Sequence, residues 1–166
     1  FSYPTSLKVL MAARIDFIQK DPLTLIKAAK FAFDRGVNIE VHFAGAGPGA
    51  QRLIDSISLY GCSEYVRYLG HVSSLSKILC DYNISCLSSR YESFGLSLVE
   101  GMAAGHLAIG SKVCGINDVI DEGENGLLFE EGSYEELAEI FVNICKKPEV
   151  YNDCVNTGIK DVEKFY

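Results

Sequence analysis

Residues 7–44 read LKVLMAARIDFIQKDPLTLIKAAKFAFDRGVNIEVHFA, and this stretch decides the fold. Leu7 to Ala12 is a short apolar run of the kind that forms a strand buried on both faces, as in a parallel sheet. Asp21-Pro22 then supplies an N-cap and a proline at the first helical position, and Gly36 closes the segment after Phe31-Ala32-Phe33-Asp34-Arg35. Ile39 to Ala44 reads as a second strand. Strand, helix and strand in this order predict a parallel pair joined by a crossover helix.

The same unit recurs along the chain. Gly45-Ala46-Gly47-Pro48-Gly49 is a turn, and a helix follows from Ala50 to Tyr60, ended by Gly61. Tyr65–Leu69, Ile84–Leu87, Ala108–Gly110 and Leu127–Phe129 read as further strands. Helices are expected near Leu75–Cys80, Leu96–Ala104 and Ile116–Ile120, with Gly105 placed to end the second. Ser133-Tyr134-Glu135-Glu136 is a capping box that opens a helix to about Lys146, and a last helix follows Pro148. With no linker or repeat in sight, residues 1–166 read as a single Rossmann-like domain: a doubly wound parallel sheet of about six strands with helices on both faces.

Composition narrows the function classes. An apolar fraction of 48% with four prolines describes a globular chain, not a disordered tail. Lys+Arg 15 against Asp+Glu 22 leaves a net charge of −7, which argues against a nucleic-acid partner. The six cysteines (Cys62, Cys80, Cys86, Cys114, Cys145 and Cys154) show no Cys-x-x-Cys pair, no ligand spacing and no metal site. They read as small buried hydrophobes in a reducing compartment. The sequon Asn83-Ile84-Ser85 lies in an expected core strand and reads as accidental. No run is long enough to span a bilayer and no signal pattern opens the chain, so a cytoplasmic location is expected. The chain starts at Phe1 without an initiator Met and stops at Phe165-Tyr166, which reads as a piece of a longer protein.

In doubly wound sheets ligands bind outside the carboxyl ends of the strands, so the chemistry belongs to the loops that follow them. The Gly45–Ala50 loop follows a strand and precedes a helix as a dinucleotide fingerprint would. The next strand, Val66-Arg67-Tyr68-Leu69-Gly70, lacks the acidic residue that would hold a ribose, so a tight turn is the better reading. The segment from Ser88 to Gly105 is richer. Ser93 is positioned to cap a helix whose first turn contains Phe94, Gly95 and Leu96, leaving backbone amides free for an anion, and Gly95 would let a ligand oxygen approach closely. Glu100 falls about 7.5 Å further along that helix. A nucleotide with its diphosphate at the helix tip and its ribose alongside would match this spacing, since a carboxylate accepts from two vicinal hydroxyls. On spacing alone the better reading is a Glu92 that complements the helix dipole and a Glu100 on a solvated face, since pairs of glutamates are common on helices. Arg14 and Lys20 flank the loop after the first strand, where they read either as a diphosphate clamp or as a solubilising pair.

Taken together, these segments resemble the C-terminal domain of the retaining family 4 glycosyltransferases, enzymes with two Rossmann-like domains facing across a cleft (the GT-B architecture). The resemblance runs from about Lys8 to about Val155. It rests on the Arg…Lys loop, the Gly-x-Gly-Pro turn at Gly45 and Gly47, Val66-Arg67-Tyr68-Leu69-Gly70-His71-Val72, the Glu-x7-Glu spacing from Glu92 to Glu100, and Glu124-Asn125-Gly126-Leu127-Leu128. It implies that Arg14 and Lys20 bind the donor diphosphate, that Glu92 contacts donor-sugar hydroxyls and that Glu100 holds the ribose. It further implies that Phe94, Gly95 and Leu96 bind sugar and phosphate through their backbone, and that His71, Val72 and Lys77 frame the base. The sequence departs from the family at Ser88, where proline is common, at Gly105-His106-Leu107-Ala108, and at Cys114-Gly115, where two glycines are frequent. These departures bear on donor-sugar selectivity.

The expectation is therefore a donor-binding domain that takes a UDP- or GDP-sugar and serves hexosyl transfer with retention in polysaccharide or glycolipid synthesis. Arg14, Lys20 and the helix N-terminus would do the work of an obligatory metal, and no other cofactor is implied. The acceptor would be held by an N-terminal domain outside residues 1–166, leaving the isolated chain inactive, and peripheral membrane contact of the full-length enzyme is compatible with this. A non-catalytic nucleotide-binding module and, more remotely, an NAD-type oxidoreductase domain are the alternatives. Glu92 and Glu100 do not read as a glycosidase dyad.

Overall fold

A computed structural model describes residues 6–166 of the chain. Six strands, β1 (Leu7–Ala12), β2 (Ile39–Ala44), β3 (Val66–Gly70), β4 (Ile84–Leu87), β5 (Leu107–Ser111) and β6 (Gly126–Phe129), form one sheet in the order β3-β2-β1-β4-β5-β6. All neighbours are parallel, with Leu7 opposite Ile39, Val9 opposite Ile84 and Ile84 opposite Leu107. The apolar runs explain this arrangement. β4 and β5 are buried at every position and β1 at four of six, so these strands need cover on both faces.

Helices provide that cover. α1 (Pro22–Asp34) and α2 (Ala50–Leu59) carry the chain outward from β1 to β3, whereas α3 (Leu96–Ala103) and α4 (Cys114–Asn117) carry it the opposite way from β4 to β6. Right-handed crossovers stepping in opposite directions lie on opposite faces. α5 (Tyr134–Lys146) packs on α1, and α6 (Asn152–Asp161) packs on α3, β5 and β6. Phe43, Phe129, Phe141, Met11 and Leu25 are fully enclosed in the main core; each contributes about 1.5–3 kcal/mol relative to an exposed side chain. A smaller cluster of Leu10, Ala44 and Leu79 is sealed by Val72, Leu75 and Ile78. The strand order reverses between β1 and β4, and that switch point is where an open α/β sheet leaves a crevice.

Several local expectations need correction. The segment expected as a helix over Leu75–Cys80 forms two 3-10 turns, Leu75–Lys77 and Leu79–Asp81. The helix expected at Ile116–Ile120 begins earlier, at Cys114, and the segment after Pro148 is a 3-10 turn (Pro148–Tyr151) before α6. Asp21 does not cap α1 with its side chain: its backbone is left-handed (φ 43°) and its carboxylate faces Thr24 Oγ1 at 2.8 Å. Ser93 does not cap α3 either, because Gly95 occupies that position. Only half the capping box forms. Ser133 Oγ accepts from the Glu136 amide, but Glu136 Oε2 accepts from Glu130, since the Ser133 amide already donates to the Glu130 carbonyl. The strand edges differ by a residue or two: β3 runs one residue later than expected, and β5 and β6 extend further.

The cysteines are all free. Cys62, Cys86 and Cys154 are buried as expected, but Cys80, Cys114 and Cys145 lie on the outer sides of a turn and two helices and are exposed. Asn83 is occupied: its Oδ1 accepts from the Lys8 amide and its Nδ2 donates to the Ser6 carbonyl, tying β4 to the start of β1. Among the described residues no helix is long and apolar enough to cross a membrane.

Candidate functional site

The loop between β1 and α1 is shaped by its own residues. Asp16 Oδ1 accepts the amides of Ile18 and Gln19 at 2.8 and 3.0 Å, and the Asp16 carbonyl accepts those of Lys20 and Asp21. The two side-chain bonds hold the Asp16 carboxyl below its ordinary value, the Gln19 amide contributing most. On the other side, the Gly45–Gly49 turn is pressed against this loop. A Cβ on Gly45 would stand 2.0 Å from the Ala13 carbonyl oxygen, and one on Gly47 would stand 2.3 Å from that of Ile15. These glycines serve close backbone approach, and through it they fix the stretch that carries Arg14.

The loop between β4 and α3 is fastened to the first loop. Ser88 Oγ donates to the Asp21 carbonyl at 2.8 Å, the Arg90 amide donates to the Gln19 carbonyl at 2.8 Å, and the Arg90 guanidinium meets the buried Asp21 carboxylate at 3.1 Å. Beyond this clamp lies Glu92. Its Oε1 accepts the Ser93 amide at 3.1 Å and its Oε2 accepts from Lys20 Nζ in an ion pair whose two side chains are each 12% exposed. The Glu92 carbonyl receives the Gly115 amide at 3.1 Å. Gly115 has to be glycine, because a Cβ there would lie 2.4 Å from the Glu92 carbonyl oxygen. Gly95 has φ 86° and only ordinary contacts around an added Cβ, the nearest at 3.6 Å. Its backbone angle, more than ligand approach, therefore explains the residue.

These loops enclose a cleft of about 390 Å³, whose walls include Arg14, Lys20, Glu92, Gly95, Leu96 and Glu100. The six come from two segments, residues 14–20 and 92–100, up to 86 positions apart, and they meet at the switch point. Glu100 is the fifth residue of α3, about 6 Å along the axis from Leu96, and it also borders an adjoining cleft of about 480 Å³ with Ser76, Cys80 and Tyr166. Leu96 is exposed at the rim. The cleft thus combines two cations, two carboxylates and the N-terminus of a helix whose first amides have no intrahelical acceptor.

Other candidate residues lie outside these walls. Phe94 packs edge-on against Phe165, ring centroids 5.6 Å apart. Val72 seals the small core and the exposed His71 and Lys77 flank the same region, where Leu75 is the residue that reaches the cleft. Gly45 and Gly47 lie behind the Arg14 loop. Sequence reasoning missed the positioning group Asp21, Ser88, Arg90 and Gly115. In the sequence Asp21 reads only as an N-cap, and Ser88 and Cys114-Gly115 only as departures from the family; nothing there signals a clamp between residues 67 or 69 positions apart.

A six-stranded parallel sheet with this order and a polar cleft at its switch point defines a Rossmann-like α/β domain. The sequence matches the family of glycosyl transferases group 1 over residues 2–161, and the chain belongs to that family. It is 30% identical over 130 residues to N-acetyl-alpha-D-glucosaminyl L-malate synthase of Bacillus anthracis, a match covering 78% of this chain and 33% of the relative. Its fold is similar to that of an S. aureus TarM variant solved with fondaparinux, alpha-GlcNAc-glycerol and UDP (TM-score 0.90, 20% identity, 99% of this chain and 34% of that one). It is similar as well to the C-terminal domain of the glycosyl transferase group 1 protein LpcC from Francisella tularensis (TM-score 0.83, 20% identity, 95% of this chain and 85% of that one). The chain spans about a third of the length of the B. anthracis relative.

Proposed function

We propose that the chain is the donor-binding domain of a retaining, family 4 glycosyltransferase of GT-B architecture, which takes a UDP- or GDP-sugar and serves hexosyl transfer. The observation that carries this reading is the meeting of Arg14, Lys20, Glu92, Gly95, Leu96 and Glu100 in one cleft at the switch point, in a chain that belongs to the glycosyl transferases group 1 family. Arg14, Lys20 and the first turn of α3 stabilise the charge that grows on the leaving diphosphate, so an obligatory metal is not required. Glu92 faces the sugar and Glu100 accepts from the ribose hydroxyls. The backbone of Phe94–Leu96 receives phosphate and sugar, while His71, Val72 and Lys77 lie on the side where the base extends. Gly45 and Gly47 act on the donor through the backbone of Ala13–Ile15 against which they pack.

The acceptor is bound by an N-terminal domain, so residues 1–166 alone bind donor without transferring sugar. The curated relative acts on an N-acetyl-glucosaminyl group and the TarM variant was solved with UDP, which supports a nucleoside diphosphate over a dinucleotide. Polysaccharide or glycolipid synthesis at a cytoplasmic site fits this assignment. A calorimetric panel tests it: UDP, GDP and ADP against NAD. Binding of one nucleoside diphosphate with NAD inert is the expected result; preference for NAD would overturn the donor-binding reading, and sugar transfer by the isolated chain would overturn the two-domain reading.

A further inference from the structure

We infer that Glu92 acts as a competing counterion for Lys20 that disfavours the bare nucleoside diphosphate relative to its sugar ester, and so speeds release of the product. The inference deepens the donor-site reading above and rests on it. Lys20 is the less exposed of the two cations lining the cleft, and its ammonium is engaged by Glu92 Oε2. The pair is held in place from both ends. Ser88 Oγ and the Arg90 amide bind the chain at Asp21 and Gln19, on either side of Lys20, while the Ser93 amide fixes the other oxygen of Glu92 and the Gly115 amide fixes its carbonyl. The Ser93 amide holds the Glu92 carboxylate, and both loops are fastened, so a phosphate that reaches Lys20 enters the field of that carboxylate at short range.

The penalty differs between the two forms of nucleotide. A sugar ester leaves the outer phosphate as a diester with one negative charge. The released diphosphate ends in a monoester whose second proton is lost at about pH 6, giving it about one more charge near neutrality. The ester also offers hydroxyls that can donate to the Glu92 carboxylate, which the bare diphosphate lacks. One carboxylate therefore attracts the donor and repels the product. The other carboxylate lining the cleft, Glu100, has no ion pair among the described residues.

Titration of inorganic pyrophosphate, UDP, GDP, UDP-glucose and GDP-mannose into the wild-type chain and Glu92→Gln at constant salt tests this. Glutamine keeps an oxygen for the Ser93 amide and removes the charge. The variant is expected to bind pyrophosphate and the accepted nucleoside diphosphate about fivefold more tightly or better, and to bind the matching sugar nucleotide no more tightly than wild type. Equal or weaker diphosphate binding by Glu92→Gln, with wild type binding normally, overturns the inference and leaves the donor-site reading standing. Failure of both proteins to bind any diphosphate overturns both. Should Glu92→Gln melt early, Glu92→Asp, which draws the carboxylate back from Lys20, is expected to shift pyrophosphate affinity in the same direction by a smaller step, and no shift counts against the inference.

Discussion

Arg14 and Glu100 both line the cleft and differ in what they offer a ligand. Arg14 is exposed and presents a planar fork of donors suited to a diphosphate, whereas Glu100 is half-buried on α3 and presents only acceptors. Their removal should therefore fail in different ways. Glu100→Ala is expected to weaken nucleoside and nucleoside diphosphate binding alike by about 1–3 kcal/mol, because ligand hydroxyls lose their partner. Arg14→Ala is expected to weaken the diphosphate in a salt-dependent manner and leave the nucleoside nearly unchanged. Calorimetry at two salt concentrations separates the cases, and an unchanged affinity for Glu100→Ala would return that residue to a solvated helix face.

At the level of elements, the wall formed by the two 3-10 turns depends on a buried histidine. His106, 2% exposed, donates from Nε2 to the Leu79 carbonyl at 2.8 Å, which can only accept, and so its Nδ1 accepts from Ser85 Oγ at 2.8 Å. Leu79 lies in the turn next to Leu75, the residue that reaches the cleft. Burial lowers the His106 pKa below 6.5, outweighing the contribution of the Leu79 carbonyl, and burial likewise lowers that of His42, which bonds Tyr82. Both histidines take up protons more readily unfolded than folded, so stability is fully present above about pH 6.5 and falls as the pH drops below it. Asp16 and Asp161, both lowered from 3.8, contribute only at more acid pH. Thermal unfolding should show a midpoint that declines between about pH 7 and pH 5, with a shallower slope in His106→Gln. A midpoint constant over that range would contradict the assignment.

For the whole molecule, the sheet was legible because burial on both faces leaves a clear mark. Leu7–Ala12 and Ile84–Leu87 are apolar runs whose ends coincide with the strands found, and Ile39–Ala44, which carries Glu40 and His42, matches its strand as well. The 75–81 segment was not legible as turns, since Leu75, Ile78 and Leu79 repeat at helical spacing while the chain there must fold over the small core. Ser93 has the chemistry of a cap, but Gly95 two positions later adopts the left-handed conformation and sets the start of α3. In the cleft, residues that follow strands could be read from the sequence because the topology of such sheets predicts where loops gather. The Lys20–Glu92 pair and the Ser88–Asp21 contact could not, for they depend on how closely two particular loops approach.

Amide chemical shifts of the isotopically labelled chain, followed during titration with UDP-glucose and GDP-mannose, test the central claim most directly. The account predicts that one of the two perturbs residues 13–20 and 92–100 together, with changes fading toward the groove of Lys27, Phe31 and Tyr134 on the α1–α5 side. Perturbation centred on that groove, or none with either nucleotide sugar, would contradict it.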